Sequence, residues 1–288
     1  MTTTPDDKRI VYLVGAGPGR ADLITLRGAE LIKIADCIIY DKLANPDLLR
    51  HARADAEIVH VPKRTGGRSF TQDQINELLL EKARKHKCVV RLKGGDPCIF
   101  GRCSEEAEAL ADVGIDFEIV PGITAGIAAA GYTGILITDR RYSSQVIFIT
   151  GREAQGKTDT NIDWNWLAHS PGTIVFYMGV GSLDRIASNL ISNGMSEDTP
   201  TAVIANATFP TQRVVKAPLS KIESACADSN VEPPAIIVIG AAADSDPRLA
   251  WFESRPLYGK TIVLTRDARG NVESSADIVA RCGHPLAF

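Results

Sequence analysis

Residues 10–120 carry five short apolar runs: IVYLV at 10–14, CIIY at 37–40, EIVHV at 57–61, VVRL at 89–92 and FEIV at 117–120. Buried strands of a parallel sheet read as runs of this kind, and strands alternating with helices at this spacing make a parallel α/β layer. The intervening segments support it. Leu23, Leu26, Leu31 and Ile34 follow a helical period, and Thr71 with Gln74 makes a capping box ahead of Ile75, Leu78 and Leu79. Residues 104–113 open with glutamates that suit a helix N-terminus. Asn45-Pro46 predicts a further helix start. The small residues at 125–131 predict a helix able to pack closely on a sheet or a ligand.

Ligands of such sheets sit beyond the carboxyl ends of the strands, so the turns carry the chemistry. The fourth run leads into Lys93-Gly94-Gly95-Asp96-Pro97. Two glycines permit positive φ and close backbone approach, Asp96 offers a carboxylate to a ligand hydroxyl or amine, and Pro97 stops the strand. Taken alone, the turn reads more readily as an ordinary strand-to-helix connection. The first run ends in Gly15-Ala16-Gly17-Pro18-Gly19, the entry to a nucleotide-type fold. A dinucleotide site would need glycine where the chain has Arg20, and Pro18 removes a backbone N–H that pyrophosphate would use. These glycines therefore suit close approach without phosphate capture.

A second unit comes next, with strands predicted at 145–150, 173–177, 201–205, 212–216 and 235–239. A helix over 183–192 ends at Asn193-Gly194 in a left-handed cap. Residues 206–213 read as a hairpin, so this half mixes parallel and antiparallel pairing. Past Pro247 the character changes: 257–265 predicts a strand and 272–282 a helix, too little to bury a core alone. Across 288 residues, 44% hydrophobic and 23% charged content suits a globular chain, and a net charge of −3 argues against bulk nucleic-acid binding. The start, MTTTPDDKR, lacks the apolar core of a leader, and no apolar stretch reaches the length of a membrane span. Six cysteines without a CxxC pair argue against a zinc site, so no metal is expected and a reducing cytoplasm is.

The string LKGGDPCIFGR at 92–102 resembles the signature of uroporphyrinogen-III C-methyltransferases, S-adenosylmethionine enzymes of siroheme and cobalamin synthesis. VGAGPG, Tyr40-Asp41, Lys63-Arg64-Thr65-Gly66 and FYMG are similar to further motifs of that group, in order, over about residues 8–253. The resemblance implies a two-domain tetrapyrrole methylase fold of class α/β, with domains at 8–138 and 143–253 and the cofactor in the inter-domain cleft. It implies two methyl transfers to uroporphyrinogen III, at C2 and C7, giving precorrin-2, and a homodimer. Residues 257–288 resemble the first βα unit of a uroporphyrinogen-III synthase, as in a truncated fusion.

Carried over residue by residue, the resemblance makes Asp41 the proton acceptor and Lys63 the proton donor. Without it, an aspartate at a strand end reads as a cap or turn residue, and a Lys-Arg loop as a solvated face. Cofactor contacts fall on Pro18, Gly94, Gly95, Asp96, Ile99, Thr124, Ala125, Met178 and Ala207. Arg20 stands where the group has aspartate, Ala207 where it has glycine, and Cys103-Ser104 where it has a glycine pair. The octacarboxylate substrate calls for guanidinium partners, for which Arg64, Arg68, Arg102, Arg140, Arg141 and Arg152 are candidates. Rival readings are a methylase of a later precorrin, an NAD-dependent oxidoreductase, and a catalytically silent cofactor-binding partner of the synthase.

Overall fold

The five apolar runs of the first half form five parallel strands: β1 (Ile10–Gly15), β2 (Cys37–Asp41), β3 (Glu57–Val61), β4 (Cys88–Lys93) and β5 (Asp116–Val120). Their order across the sheet is β3-β2-β4-β1-β5. The computed structural model describes residues 9–61, 70–152, 161–265, 274–275 and 277–287. It divides into two compact units, Met1–Ala125 and Gly126–Phe288.

In the first unit both sheet faces are covered, as the apolar runs require. Val11, Leu13, Cys37, Ile39 and Val89 pack on α2 (Gln72–Lys85) and α3 (Cys103–Asp112). Val14, Ile38, Val90 and Leu92 face the other way, against Leu31 and Ile32 of α1 (Leu26–Ile34). The capping box at the start of α2 is formed: Thr71 Oγ1 accepts the Gln74 N–H, and Gln74 Oε1 accepts the Thr71 N–H. Asn45 caps as expected, its Oδ1 accepting the Asp47 N–H. The run that it opens, Pro46–His51, is 3₁₀ rather than α-helical. Six residues between β2 and β3 close i to i+3 turns, a length at which the tighter helix competes well.

In the second unit, α4 (Ala125–Thr133) leads to a mixed sheet of β6 (Val146–Thr150), β7 (Thr173–Tyr177), β8 (Pro200–Ala205), β9 (Arg213–Pro218) and β10 (Ala235–Ile239). The order is β6-β7-β10-β8-β9; β6 and β7 are parallel and the remaining pairs antiparallel. Helix α6 (Leu183–Ser192), which comes after α5 (Trp164–Ala168), buries Leu183, Ile186, Ala187 and Leu190. Gly194 beyond α6 has φ +104°, as the left-handed ending predicts. Two short helices, α5 and α7 (Ile222–Asp228), have too few turns to declare a period in the sequence.

The tail holds β11 (Thr261–Leu264), paired in parallel with β12 (His284–Ala287). The predicted strand over 257–265 is thus shortened, because Leu257–Lys260 is a turn closed by the Lys260 N–H on the Leu257 carbonyl. Of the predicted helix over 272–282, helix is present at 274–275 and 277–280, 281–282 is a turn, and 272, 273 and 276 lie outside the described residues. No helix among the described residues is long and apolar enough to cross a membrane.

Candidate active site

In the first unit the loops beyond β1, β4 and β5 close on one another. The Ala16 N–H donates to the Lys93 carbonyl at 2.7 Å, and Gly17 and Gly95 exchange a pair of backbone bonds at 3.2 and 2.7 Å. The Ala16 and Gly17 N–H groups are therefore bonded to protein carbonyls and Pro18 has none, which argues against a phosphate cradle and the dinucleotide reading. A Cβ on Gly15 would lie 2.6 Å from Gly122 Cα, and one on Gly94 would lie 2.5 Å from Leu43 Cβ. Gly95 takes φ +71°. Asp96 ties the bundle together: Oδ1 accepts the Cys98 N–H at 2.8 Å and Oδ2 the Gly122 N–H at 2.9 Å. Each oxygen retains acceptor capacity for a ligand hydroxyl or ammonium. Pro18, Ile99, Thr124 and Ala125 lie on the same three loops, with Thr124 buried and the others half-buried.

Asp41 ends β2 on the same edge of the sheet and is 8% exposed. Its Oδ1 accepts the Leu43 N–H at 3.0 Å, and its Oδ2 lies 3.6 Å from Arg91 Nη2. Behind it lies a charged cluster that sequence reasoning missed. Arg91 (1% exposed), Lys93 (3%) and Glu106 (0%) are buried together on the α3 face of the sheet. Glu106 Oε1 accepts from Arg91 Nε at 3.2 Å and Oε2 from Lys93 Nζ at 2.6 Å. Burial, with the neighbouring guanidinium of Arg91, pushes the Lys93 ammonium below its ordinary range. The signal was available: two cations at i and i+2 of an apolar strand point to one face and need a buried anion.

Lys63, Arg64 and Arg68 lie outside the described residues. Among the remaining arginine candidates, Arg102 makes a bidentate pair with Glu105 at 2.7 Å, and Arg141 pairs with Asp139 at 2.6 Å. Arg140 and Arg152 are exposed. Arg20 pairs with Asp22 inside the first loop. Burial pushes the thiols of Cys37, Cys88 and Cys103 up to about 11. At the opposite, amino edge of the sheet, Cys37, Glu57 and His86 come within 4.8 Å of one another. Glu57 there also accepts from Lys82 at 2.7 Å, so this is an ion-pair cluster rather than a receptive cation site.

In the second unit Met178 comes directly after β7 with φ +54° and 51% exposure. Gly151 and Gly179 meet beside it: a Cβ on Gly151 would lie 2.5 Å from Gly179 Cα. Half-buried Ala207 sits between Asn206 (φ +48°) and Thr208 (φ +76°). The Thr208 N–H donates to the buried Gln212 side chain at 3.0 Å. Phe100, Arg102, Met178, Asn206 and Thr208 all hold positive φ without being glycine, and strain of that kind concentrates at ligand sites.

The comparisons with known proteins identify the family. Residues 10–223 match the family model of tetrapyrrole (corrin/porphyrin) methylases. A uroporphyrinogen-III C-methyltransferase of Priestia megaterium is 47% identical over 230 residues, 80% of this chain and 96% of that protein. Its namesake from Bacillus subtilis is 46% identical over 255 residues, 88% of this chain and 53% of that protein. The chain thus spans about half the length of several of the curated relatives it matches. Among solved structures, the Thermus thermophilus uroporphyrin-III C-methyl transferase complexed with S-adenyl homocysteine superposes with a TM-score of 0.69. That match has 35% identity and covers 81% of this chain and 93% of the other. With the matched segment covering most of both sheets and the glycine loops in place, the chain belongs to the tetrapyrrole methylase family.

Proposed function

We propose that the chain is an S-adenosylmethionine-dependent methyltransferase acting on uroporphyrinogen III at C2 and C7 to give precorrin-2. The observation that carries this reading is the 47% identity to the Priestia enzyme over nearly that protein's whole length. The set of interlocked loops at the carboxyl edge of the first sheet supports it. Pro18, Gly94, Gly95, Asp96, Ile99, Thr124 and Ala125 of the first unit hold the cofactor, with Met178 and Ala207 of the second. The residues of each unit suit the group: in the first, a half-buried carboxylate with spare acceptor sites suits ribose hydroxyls or the amino acid ammonium, and in the second, the exposed Met178 side chain suits adenine as a soft apolar surface. When bound, the sulfonium supplies a methyl group that a carbon nucleophile can displace.

The chain's own work is then on the tetrapyrrole. The carbon that gains a methyl group becomes part of a cation that must shed a proton from a neighbouring carbon. Asp41, held by the Leu43 N–H and by Arg91, stabilises that cation and takes the proton. Lys63 is the proton donor. The protein acts as a homodimer in the cytoplasm, and residues 257–288 begin a synthase-like unit.

An anaerobic incubation with S-adenosylmethionine and enzymatically made uroporphyrinogen III tests the reading by product mass and absorbance. Two added methyl groups are expected. Cofactor binding without any transfer would refute it and favour a later precorrin as substrate or a silent partner.

A further inference from the structure

We infer that Arg91 is the positioning residue for Asp41, and that Glu106 with Lys93 holds Arg91 in that role. The inference rests on the proposed reading of Asp41 as proton acceptor. Every polar arm of Arg91 has a separate task. Nε donates to Glu106 Oε1 at 3.2 Å, Nη1 to the carbonyls of Ile39 at 3.4 Å and Leu92 at 3.2 Å, and Nη2 points to Asp41 Oδ2 at 3.6 Å. The Ile39 carbonyl belongs to β2, the strand that Asp41 ends. The guanidinium thus measures the carboxylate against its own strand.

The cluster is built for orientation more than for stability. Arg91, Lys93 and Glu106 are all buried, and Asp41 nearly so. Two cations and two anions cancel, and no buried side-chain polar atom among the described residues lacks a partner. Apolar residues of similar volume would do as well or better for stability, because desolvating charges offsets most of their attraction. What an apolar replacement could not do is fix Asp41 at both oxygens, one by the Leu43 N–H and the other by Arg91. Lys93 completes the arrangement: without its bond at 2.6 Å, Glu106 would carry a second open acceptor and could rotate away from Arg91.

The test compares Arg91→Lys, Asp41→Asn and the double variant in the full chain. It uses the anaerobic methyl-transfer assay, with S-adenosylhomocysteine affinity measured by calorimetry. Lysine keeps the charge but presents one point donor instead of a planar fork. Arg91→Lys should lower kcat about 10-fold, with KM and S-adenosylhomocysteine affinity within about twofold of the parent, and Arg91→Met should lose about 100-fold, so that lysine rescues part of the loss. In the Asp41→Asn background, itself down by about 100-fold or more, Arg91→Lys should add no further loss. A parental kcat for Arg91→Lys overturns the inference. So does its full 10-fold loss repeated in the Asp41→Asn background, which would place Arg91 on a separate path. A fully active Asp41→Asn would instead remove the acceptor role of Asp41, and the inference with it. If neither Arg91 variant folds, Glu106→Asp reads the same coupling, since it keeps the charge and withdraws the carboxylate from Arg91; an unchanged kcat there overturns the inference.

Discussion

Gly122→Ala should destabilise the first unit by an amount the loop geometry sets. The new Cβ would stand 2.3 Å from the Gly95 carbonyl oxygen, 2.8 Å from Gly15 Cα and 3.0 Å from Gly15 C. Carbon and carbonyl oxygen settle no closer than about 3.3 Å, so the loops must separate by about 1 Å. All three atoms are backbone, so no side chain can rotate aside. The same Gly95 oxygen accepts the Gly17 N–H, and the Gly122 N–H donates to Asp96, so separation stretches two hydrogen bonds. Overpacking costs about 1–3 kcal/mol and each weakened bond about 1 kcal/mol, giving about 3–5 kcal/mol in all. At this size the fall in Tm is roughly 10 °C, read on the transition of the first unit by calorimetry. Gly131→Ala is the matched control. It lies in α4 of the second unit, its Cβ would meet nothing within 4 Å, and glycine there costs helix stability, so alanine should raise that unit's transition by a few degrees and leave the first unit's in place. If Gly122→Ala melted within about 1 °C of the parent, the loops would be free to part and the close-packing argument would fail.

Three further outcomes are expected. The bonds from Lys82 and His86 pull the Glu57 carboxyl down to about 2, against 4.5 for the free side chain. A depressed carboxyl contributes stability that is complete above about pH 4.5 and is lost as pH falls toward 2, so Glu57→Gln should cost about 1–2 kcal/mol at pH 7 and almost nothing near pH 2 in denaturant melts, after allowing for solvent screening. Asp96→Asn puts an N–H₂ group against a backbone N–H and should lose about 1–2 kcal/mol in the same melts; an unaltered midpoint would mean Asp96 does not staple the loops. The Tyr258 hydroxyl donates to the Gln212 carbonyl, and burial raises it to about 12, so Tyr258→Phe should cost about 1 kcal/mol at neutral pH. That difference should persist below pH 10 and shrink between about pH 10 and 12, where the phenol ionises in the unfolded chain but stays protonated in the folded one.

Much of this architecture was legible because buried strands and amphipathic helices declare themselves in short windows. The five runs of the first half became β1 to β5, and α6 runs over 183–192 as its period predicts. Strand order was not legible, since insertion of β4 between β2 and β1 is decided by packing across the sheet rather than by any local run. The 3₁₀ run at Pro46–His51 was read as a helix because its cap is the same in both forms. Strand β12, at His284–Ala287, begins with a His-Pro pair that masks strand character and is held by its partner β11. At the site, the place of Asp41 at a strand end was legible but its proposed role came from the resemblance alone, whereas the buried pairing of Arg91 with Glu106 was not legible: it joins a strand to a helix, and Glu106 read as an ordinary first-turn glutamate.

The string LKGGDPCIFGR has a different meaning in three dimensions from the one its composition invites. Read as letters, two glycines and an aspartate form a floor for a ligand. In the fold, most of these groups are already engaged with the protein itself. Gly94 leaves room for Leu43, and Gly95 bonds Gly17 through both its N–H and its carbonyl. Asp96 accepts two backbone N–H groups, and Arg102 is held by Glu105. Such a string is therefore constrained first by the need to lock the β1, β4 and β5 loops together, and a ligand meets what remains after that, including the spare acceptor sites of Asp96 and the side chain of Ile99. This ordering explains why Cys103-Ser104 is tolerated where the family has two glycines. Cys103 begins α3, buries its side chain against the core and leaves the Gly15, Gly94 and Gly122 contacts untouched. Substitutions at the start of α3 should therefore change stability through the core, and substitutions at Gly122 should change the position of every loop at the site.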